Sequence, residues 1–160
     1  MKGSVHFSSR SSDWATPQYL FDELNERFKF EIDVCATADN AKCANFFSPE
    51  QNGLEQNWAP FTCWCNPPYG RQIRYWVEKA QQSAQDGALV VCLIPARTDT
   101  SYWHDFIFPF AKVEFLRGRV KFGNAKHGAP FPSAVVVFKP TDFDAIMART
   151  SARQKLQLPI

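Results

Sequence analysis

Residues 62–70 read TCWCNPPYG, and this stretch decides the fold of the chain. Its first four residues are small or apolar, which predicts a short buried strand over Thr62–Cys65. The two prolines end that strand, because proline has no N–H to donate to a neighbouring strand. The sequence therefore predicts a stiff turn, rich in hydrogen-bond acceptors, directly after a buried strand.

Helical and strand patterns alternate on both sides of this stretch. After it, apolar residues recur at helical spacing, and Gly87 is predicted to end this helix. The unbroken apolar run Ala88–Ile94 then predicts a central parallel strand. Before the stretch, the pattern predicts a helix over 17–28, with Thr16 as its N-cap, and a strand that ends near Asp33. The apolar residues of the later helix are Ile73, Trp76, Val77, Ala80 and Ala84.

Shorter elements are predicted in the rest of the chain. Ala38–Phe47 is interpreted as a short helix and a short strand, and residues 48–57 as a loop. Tyr102–Phe108 is predicted to be a short helix, and Val113–Leu116 and Ala134–Phe138 to be two strands. Such alternation is typical of a three-layer α/β sheet, here mostly parallel with an antiparallel strand pair near the C-terminus.

The length of the chain, 160 residues, suits one domain, since domains usually hold roughly 100–200 residues. We divide the chain into a polar arm over 1–12, a domain over 13–140 and a tail over 141–160. The net charge of +2 indicates little about partners by itself. No run approaches the ~20 apolar residues of a membrane span, and the start lacks the apolar stretch of a signal peptide.

The five cysteines are predicted to be free thiols that pack as small apolar side chains. Cys63 and Cys65 are separated by one residue, whereas zinc sites favour a spacer of two residues. Their alternation with Phe61 also suits one face of a buried strand. We therefore expect no metal site.

The turn Asn66-Pro67-Pro68-Tyr69 lies where open parallel sheets bind ligands, at the carboxyl end of a strand. We interpret Asn66 Oδ1 and the Pro67 carbonyl as acceptors for the two hydrogens of a nucleobase amino group. Such pairing moves the nitrogen toward tetrahedral geometry, so that its lone pair attacks an electrophilic methyl group. Tyr69 is expected to stack on a base that has left the duplex. A proline-stiffened turn with a packed tyrosine is the structural alternative.

A series of segments, taken together, resembles a known family. They are Asp13–Pro17, Ile32–Ala36, Asn52–Leu54 with Trp58, Asn66–Gly70, Trp76–Ala80, Ile94–Thr100 and Ala129–Ser133. In this order they look like the short phage- and prophage-encoded DNA N6-adenine methyltransferases, with the Asn-Pro-Pro-Tyr catalytic motif. The resemblance implies a Rossmann-like methyltransferase sheet, S-adenosylmethionine as cofactor, double-stranded DNA as partner and the cytoplasm of a bacterial host as location.

The resemblance also implies the roles of particular residues. The catalytic loop corresponds to Asn66, Pro67, Pro68 and Tyr69. The implied cofactor-binding residues are Trp14, Thr16 and Pro17 at the methionine end, Asp33, Cys35 and Ala36 after the first strand, and Asn52 and Leu54 near the adenine. Two features depart from the family pattern: the first-strand segment lacks glycine, and Asn52 stands where the pattern has Asp.

Cations cluster between the two late strands, where we predict that a hairpin over 117–128 approaches DNA. Arginine and lysine bind phosphates, and polar side chains beside them read base edges. The segment after the central strand is also predicted to contact DNA. The predicted DNA-binding residues are Arg97, Asp99, Arg117, Arg119, Lys121 and Lys126.

Two other functions are compatible with the motif. The same acceptors suit another amino or amide nitrogen, in an RNA base or in a protein glutamine. A module that binds nucleic acid and has lost catalysis would also keep the fold, although the intact Asn66 and Tyr69 argue against it. The recognition sequence and the oligomeric state do not follow from the residues.

Overall fold

The computed structural model describes residues 14–140 and Ser151. The predicted arm over 1–12 lies outside the described residues, as does the predicted tail except for Ser151. Of the helices described, none has the length and apolarity that a membrane crossing requires. Within the same residues, no group of three His, Cys, Asp or Glu side chains is placed to hold a metal ion.

Five strands form one sheet in the order β1-β2-β3-β5-β4. The first three strands are parallel, with Cys63 beside Val90 and Ile32 beside Cys63. The predicted antiparallel pair is confirmed, and its second strand also pairs antiparallel with β3, so that β5 lies between β3 and β4. The strands are β1 (Ile32–Asp33), β2 (Thr62–Cys65), β3 (Leu89–Pro95), β4 (Lys112–Phe115) and β5 (Ser133–Phe138).

Two helices accompany the sheet, α1 (Gln18–Phe28) and α2 (Ile73–Gln85). The prediction that Gly87 ends the second helix is confirmed. Gly87 has a φ of 113°, and the next N–H, of Ala88, bonds back to the Ser83 carbonyl at 2.9 Å. A left-handed residue after the last turn satisfies the carbonyls that a helix end leaves free.

The prediction that Thr16 caps α1 is wrong. The helix starts directly after Pro17, whose carbonyl accepts hydrogen bonds from Leu20 and Phe21, and no side chain caps it. The Thr16 hydroxyl instead bonds to Asn66, far along the chain. Proline at a helix start has no N–H that needs a cap, which leaves the Thr16 side chain available for another partner.

Alternate residues of β3 pack into two separate apolar clusters. Val91 and Leu93 lie in the cluster that contains the buried face of α1. Val90, Cys92 and Ile94 lie in the cluster that contains the buried face of α2. Successive side chains of a strand point to opposite faces, so a central strand of this kind is apolar throughout. The chain therefore has a mixed α/β fold consistent with a Rossmann-like sheet.

Three predicted elements differ in the structure. Residues 38–47 contain turns and a single bridge between Phe46 and Asp33, without the predicted helix. The loop over 48–57 contains a one-turn 3₁₀ helix, Gly53–Glu55. The predicted helix over Tyr102–Phe108 is centred on a wide π-helical turn, Trp103–Ile107. None of these segments has the regular apolar spacing that makes a longer element predictable.

Candidate active site

A cleft with about 700 Å³ of empty space lies at the carboxyl ends of β1 and β2. This space includes solvent at the open side of the cleft. Three of the predicted catalytic and cofactor-binding residues, Pro17, Leu54 and Tyr69, do not line this cleft. Those that line it are Trp14, Thr16, Asp33, Cys35, Ala36, Asn52, Asn66, Pro67 and Pro68.

The Asn66 amide has one defined orientation. Its Nδ2 donates to the Trp14 carbonyl at 2.8 Å and to Thr16 Oγ1 at 2.9 Å. Because a carbonyl only accepts hydrogen bonds, the nitrogen and not the oxygen must face Trp14. The Oδ1 atom is buried and has no partner among the described residues. An unpaired buried acceptor is costly, and in a cleft it indicates a place where a donor belongs.

The side chain of Tyr69 is held at both ends. Its hydroxyl donates to the Leu93 carbonyl at 3.1 Å. Its ring lies 5.8 Å from the Trp14 ring, 5.9 Å from Phe122 and 5.6 Å from Phe131, measured between centroids. Burial raises the pKa of the Tyr69 hydroxyl well above its ordinary value, so the hydroxyl remains a neutral donor. This arrangement fixes the position of the ring beside the catalytic turn.

The carboxyl group of Asp33 is buried at the end of β1. It accepts hydrogen bonds from two main-chain N–H groups, of Cys35 at 3.2 Å and of Lys42 at 3.0 Å. Burial raises the pKa of this carboxyl to about 7, against the opposing effect of those two bonds. Asp33 therefore organises the loop after β1 and changes its charge close to neutral pH.

The turn at Asn52 and Gly53 closes another side of the cleft. Asn52 has a φ of 53°, a left-handed conformation that asparagine tolerates, and its Oδ1 accepts from the Leu54 N–H at 3.2 Å. Gly53 is required for a different reason: a Cβ there would lie 2.1 Å from the Val34 carbonyl oxygen. The absence of a side chain lets this turn press against the end of β1.

The sequence reasoning missed Trp76 as a cleft residue. Helical spacing assigned it to the core, and it is indeed buried and packs beside Trp58, with 6.2 Å between ring centroids. The Trp58 indole N–H donates to the Gly53 carbonyl at 2.8 Å, whereas the Trp76 Nε1 has no partner within the described part of the chain. Helical spacing marks a buried face but does not distinguish a core side chain from one that also borders a cleft.

The segment 117–128, predicted as a hairpin between the two late strands, belongs to the connection between the antiparallel strands β4 and β5 and contains no strand of its own. The connection is a loop, residues 117–131, that we call the basic loop. Buried residues anchor it to the core, namely Val120, Phe122, Ala129 and Phe131. The predicted DNA-binding cations of the loop, which are all exposed, are Arg117, Arg119, Lys121 and Lys126.

The basic loop contacts the segment that holds Asn66. The Gly123 N–H donates to the Ala15 carbonyl at 2.9 Å. Phe122 and Phe131 pack against Trp14, with centroid distances of 5.6 and 5.1 Å. Arg97 is exposed and its guanidinium lies 5.5 Å from the centre of the Phe131 ring, while Asp99 is exposed and forms no ion pair with it. The basic loop and Arg97 thus lie beside the segment 14–16, which contacts Asn66.

Comparison with known proteins identifies relatives of the chain. Residues 4–156 match a family model described as DNA N-6-adenine-methyltransferase (Dam). A protein named DNA N-6-adenine-methyltransferase from Haemophilus phage HP1 is 34% identical over 136 residues, which cover 79% of this chain and 78% of the relative. A protein of the same name from Escherichia phage T1 is 32% identical over 92 residues, 56% of this chain and 38% of the relative. The putative methyltransferase YfdM of Escherichia coli K12 is 35% identical over 63 residues, 35% of this chain and 69% of the relative.

Proposed function

The chain belongs to the DNA N-6-adenine-methyltransferase (Dam) family, and from this premise we propose how its residues carry out the reaction. As a member of that family, it methylates the N6 amino group of adenine in DNA. We propose that the cleft binds S-adenosylmethionine. We further propose that Asn66, Pro67 and Tyr69 present an adenine from double-stranded DNA to it.

The observation that carries the proposal is the anchored amide of Asn66 with its unpaired oxygen. Both amide hydrogens have acceptors, so Oδ1 is left to accept one hydrogen of the adenine amino group. The Pro67 carbonyl accepts the other. With both hydrogens held, the nitrogen lone pair leaves conjugation with the ring and points toward the methyl group. Positioned acceptors of this kind contribute roughly 2–4 kcal/mol each to lowering a barrier.

The lining of the cleft suits the chemistry of the cofactor. S-Adenosylmethionine, when bound, supplies an electrophilic methyl group. Indole rings and prolines form apolar walls, and the unpaired Asn66 Oδ1 and Trp76 Nε1 are polar atoms at its border. We assign Asp33 and Asn52 to the side of the cleft away from the catalytic turn, where they organise the loops that would hold the nucleoside. We also propose that the two helices cover opposite faces of the sheet, as three layers.

Electrostatics and stacking support DNA as the macromolecular substrate. The exposed cations belong to a loop that contacts Ala15, next to the residues that hold Asn66, and they are available to phosphates of a duplex. Tyr69, fixed by its hydroxyl, offers an aromatic surface for an adenine that has left the duplex. Because relatives come from phages and a bacterium, we place the reaction in the cytoplasm of a bacterial host.

The test measures transfer of a labelled methyl group to four acceptors: duplex DNA, single-stranded DNA, RNA and protein. We expect label in duplex DNA, and N6-methyladenine after digestion of that DNA to nucleosides. Label confined to RNA or to protein glutamine would contradict the DNA assignment. Binding of DNA without transfer to any acceptor would support a module that has lost catalysis.

A further inference from the structure

Thr16 has a role that neither its family resemblance nor its place before a helix predicts. The resemblance puts this residue at the methionine end of the cofactor. In the structure its hydroxyl accepts a hydrogen bond from Asn66 Nδ2 at 2.9 Å, and the side chain is buried. We propose that Thr16 is a positioning residue, which sets the Asn66 amide so that Oδ1 faces the adenine amino group. This inference rests on the proposed function of Asn66.

The main chain around Thr16 directs its hydroxyl toward Asn66. Helix α1 begins directly after Pro17 without a side-chain cap, so the helix start does not compete for the hydroxyl. One residue earlier, the Ala15 carbonyl accepts from the Gly123 N–H at 2.9 Å. The carbonyl of Trp14 accepts the second Asn66 hydrogen at 2.8 Å. The short segment 14–16 is therefore fixed by the basic loop on one side and by Asn66 on the other.

Two acceptors define the orientation of the Asn66 amide better than one acceptor does. The terminal torsion of asparagine has a broad, two-fold energy profile, so a single bond leaves the amide plane free to rotate. With Thr16 and Trp14 both bonded to Nδ2, the amide plane is set and Oδ1 has one place. A misplacement of about 1 Å at a reacting group costs roughly 100-fold in rate. Loss of the Thr16 hydroxyl should therefore lower turnover, although Thr16 need not touch the substrate.

The experiment compares Thr16→Val, which keeps the shape but removes the hydroxyl, with Thr16→Ser, which keeps the hydroxyl. Thr16→Ala is a second hydroxyl-free variant in case the buried valine prevents folding. For each variant we would measure kcat, KM for S-adenosylmethionine, the melting temperature, and the rise in melting temperature caused by S-adenosylhomocysteine. The last measurement reports cofactor-site binding without any turnover.

We expect kcat of Thr16→Val to fall about 10- to 100-fold. Its KM for the cofactor and its ligand-induced rise in melting temperature should stay unchanged, and Thr16→Ser should recover most of the turnover. Unchanged kcat in the hydroxyl-free variants would overturn the inference. So would a serine variant as slow as the valine variant, or a loss that appears as weaker cofactor binding, which is the result expected of a methionine contact.

The proposed function is tested separately through Asn66. If Asn66→Ala keeps full transfer, the catalytic assignment of Asn66 fails, whatever Thr16 does. If Asn66→Ala abolishes methyl transfer but the hydroxyl-free Thr16 variants transfer the methyl group at the normal rate, only the positioning role of Thr16 fails. The two ideas are therefore distinguishable with the same assay.

Discussion

The cleft and the basic loop lie side by side but are built on different principles. In the cleft, polar side chains are pinned by hydrogen bonds to the main chain or to each other, as for Asn66, Asp33 and Asn52. In the basic loop, buried apolar residues alternate with exposed cations, as Val120, Lys121 and Phe122 do. The first arrangement fixes one geometry, and the second fixes a backbone while leaving charges in solvent. Substitutions should accordingly affect the chemical step in the cleft and affinity for DNA in the loop.

The largest expected effect comes from Asn66→Ala. Removal of the acceptor that holds the amino group should reduce methyl transfer roughly 100- to 1,000-fold. Cofactor-site binding, measured by the thermal shift with S-adenosylhomocysteine, should remain. Asn57→Ala is the matched control, since Asn57 is exposed and its Oδ1 only accepts from the nearby Ala59 N–H. Loss of ligand binding without a specific defect in turnover would contradict the catalytic assignment.

Gly53→Ala should destabilise the protein, because the added methyl group crowds the turn beside the cleft. The added Cβ would lie 2.1 Å from the Val34 carbonyl and 3.1 Å from the Trp76 ring, so the backbone must move. Overpacking of this kind lowers the free energy of unfolding by typically ~1–3 kcal/mol. Gly118→Ala in the basic loop is the comparison, because its φ is 76° but no described atom would lie within 4 Å of the added Cβ. Denaturant unfolding should show the larger loss for Gly53→Ala, and the reverse order would contradict this account.

Charge reversal in the basic loop should change DNA affinity more than the chemical step. Arg119→Glu and Lys121→Glu each remove one exposed cation and add an anion, and Arg119→Glu also removes a hydrogen bond to the Ala129 carbonyl, so Lys121→Glu is the simpler test. We expect weaker binding and a binding constant that depends less on salt, by about 0.9 in logarithmic slope for each phosphate that the variant no longer neutralises. Lys139→Glu is the control, because Lys139 follows β5 at the end of the sheet opposite to the loop. Unchanged affinity in the loop variants would remove this loop from the DNA interface.

A pH dependence of stability is expected to arise from Asp33. Its pKa is raised from 3.8 to about 7, so the folded state retains a proton that the unfolded state releases earlier. The contribution of this group to stability is therefore complete below about pH 4 and is lost as the pH rises to about 7. Asp33→Asn should flatten this decline in the free energy of unfolding. An equally steep decline in the variant would show that other groups cause this pH dependence.

The sequence predicted the parts of the fold that depend on local pattern. Strand β3 and helix α2 follow from an unbroken apolar run and from regular spacing, and both lie where they were expected. The sequence assigned the Thr16 side chain to the start of α1, because helix capping is a local pattern. Its actual partner, Asn66, is 50 residues away. The loops between Ala36 and Phe61 have no periodic pattern, so their contribution to the cleft had to come from the structure.

The motif at residues 66–69 predicted the catalytic turn, and the structure adds what a motif does not contain. Nothing in Asn-Pro-Pro-Tyr indicates which amide atom faces the cleft, since this depends on Trp14 and Thr16. The sequence located the cations of the basic loop between the two late strands, but it did not indicate what holds the loop in place. The position of the loop depends on Phe122 and Phe131, which pack against Trp14. Such tertiary contacts do not follow from local sequence pattern.

The hydrogen bond from Gly123 to Ala15 has a consequence for the use of binding energy. It joins the loop that would bind phosphates to the segment 14–16, in which Trp14 and Thr16 orient the Asn66 amide. Binding free energy from contacts far from the reacting nitrogen can therefore help to align the Asn66 amide, which raises turnover in addition to affinity. A short oligonucleotide that contains the target adenine but lacks the flanking phosphates would then be a slow substrate even at saturation. The length of the DNA substrate should therefore affect turnover as well as affinity.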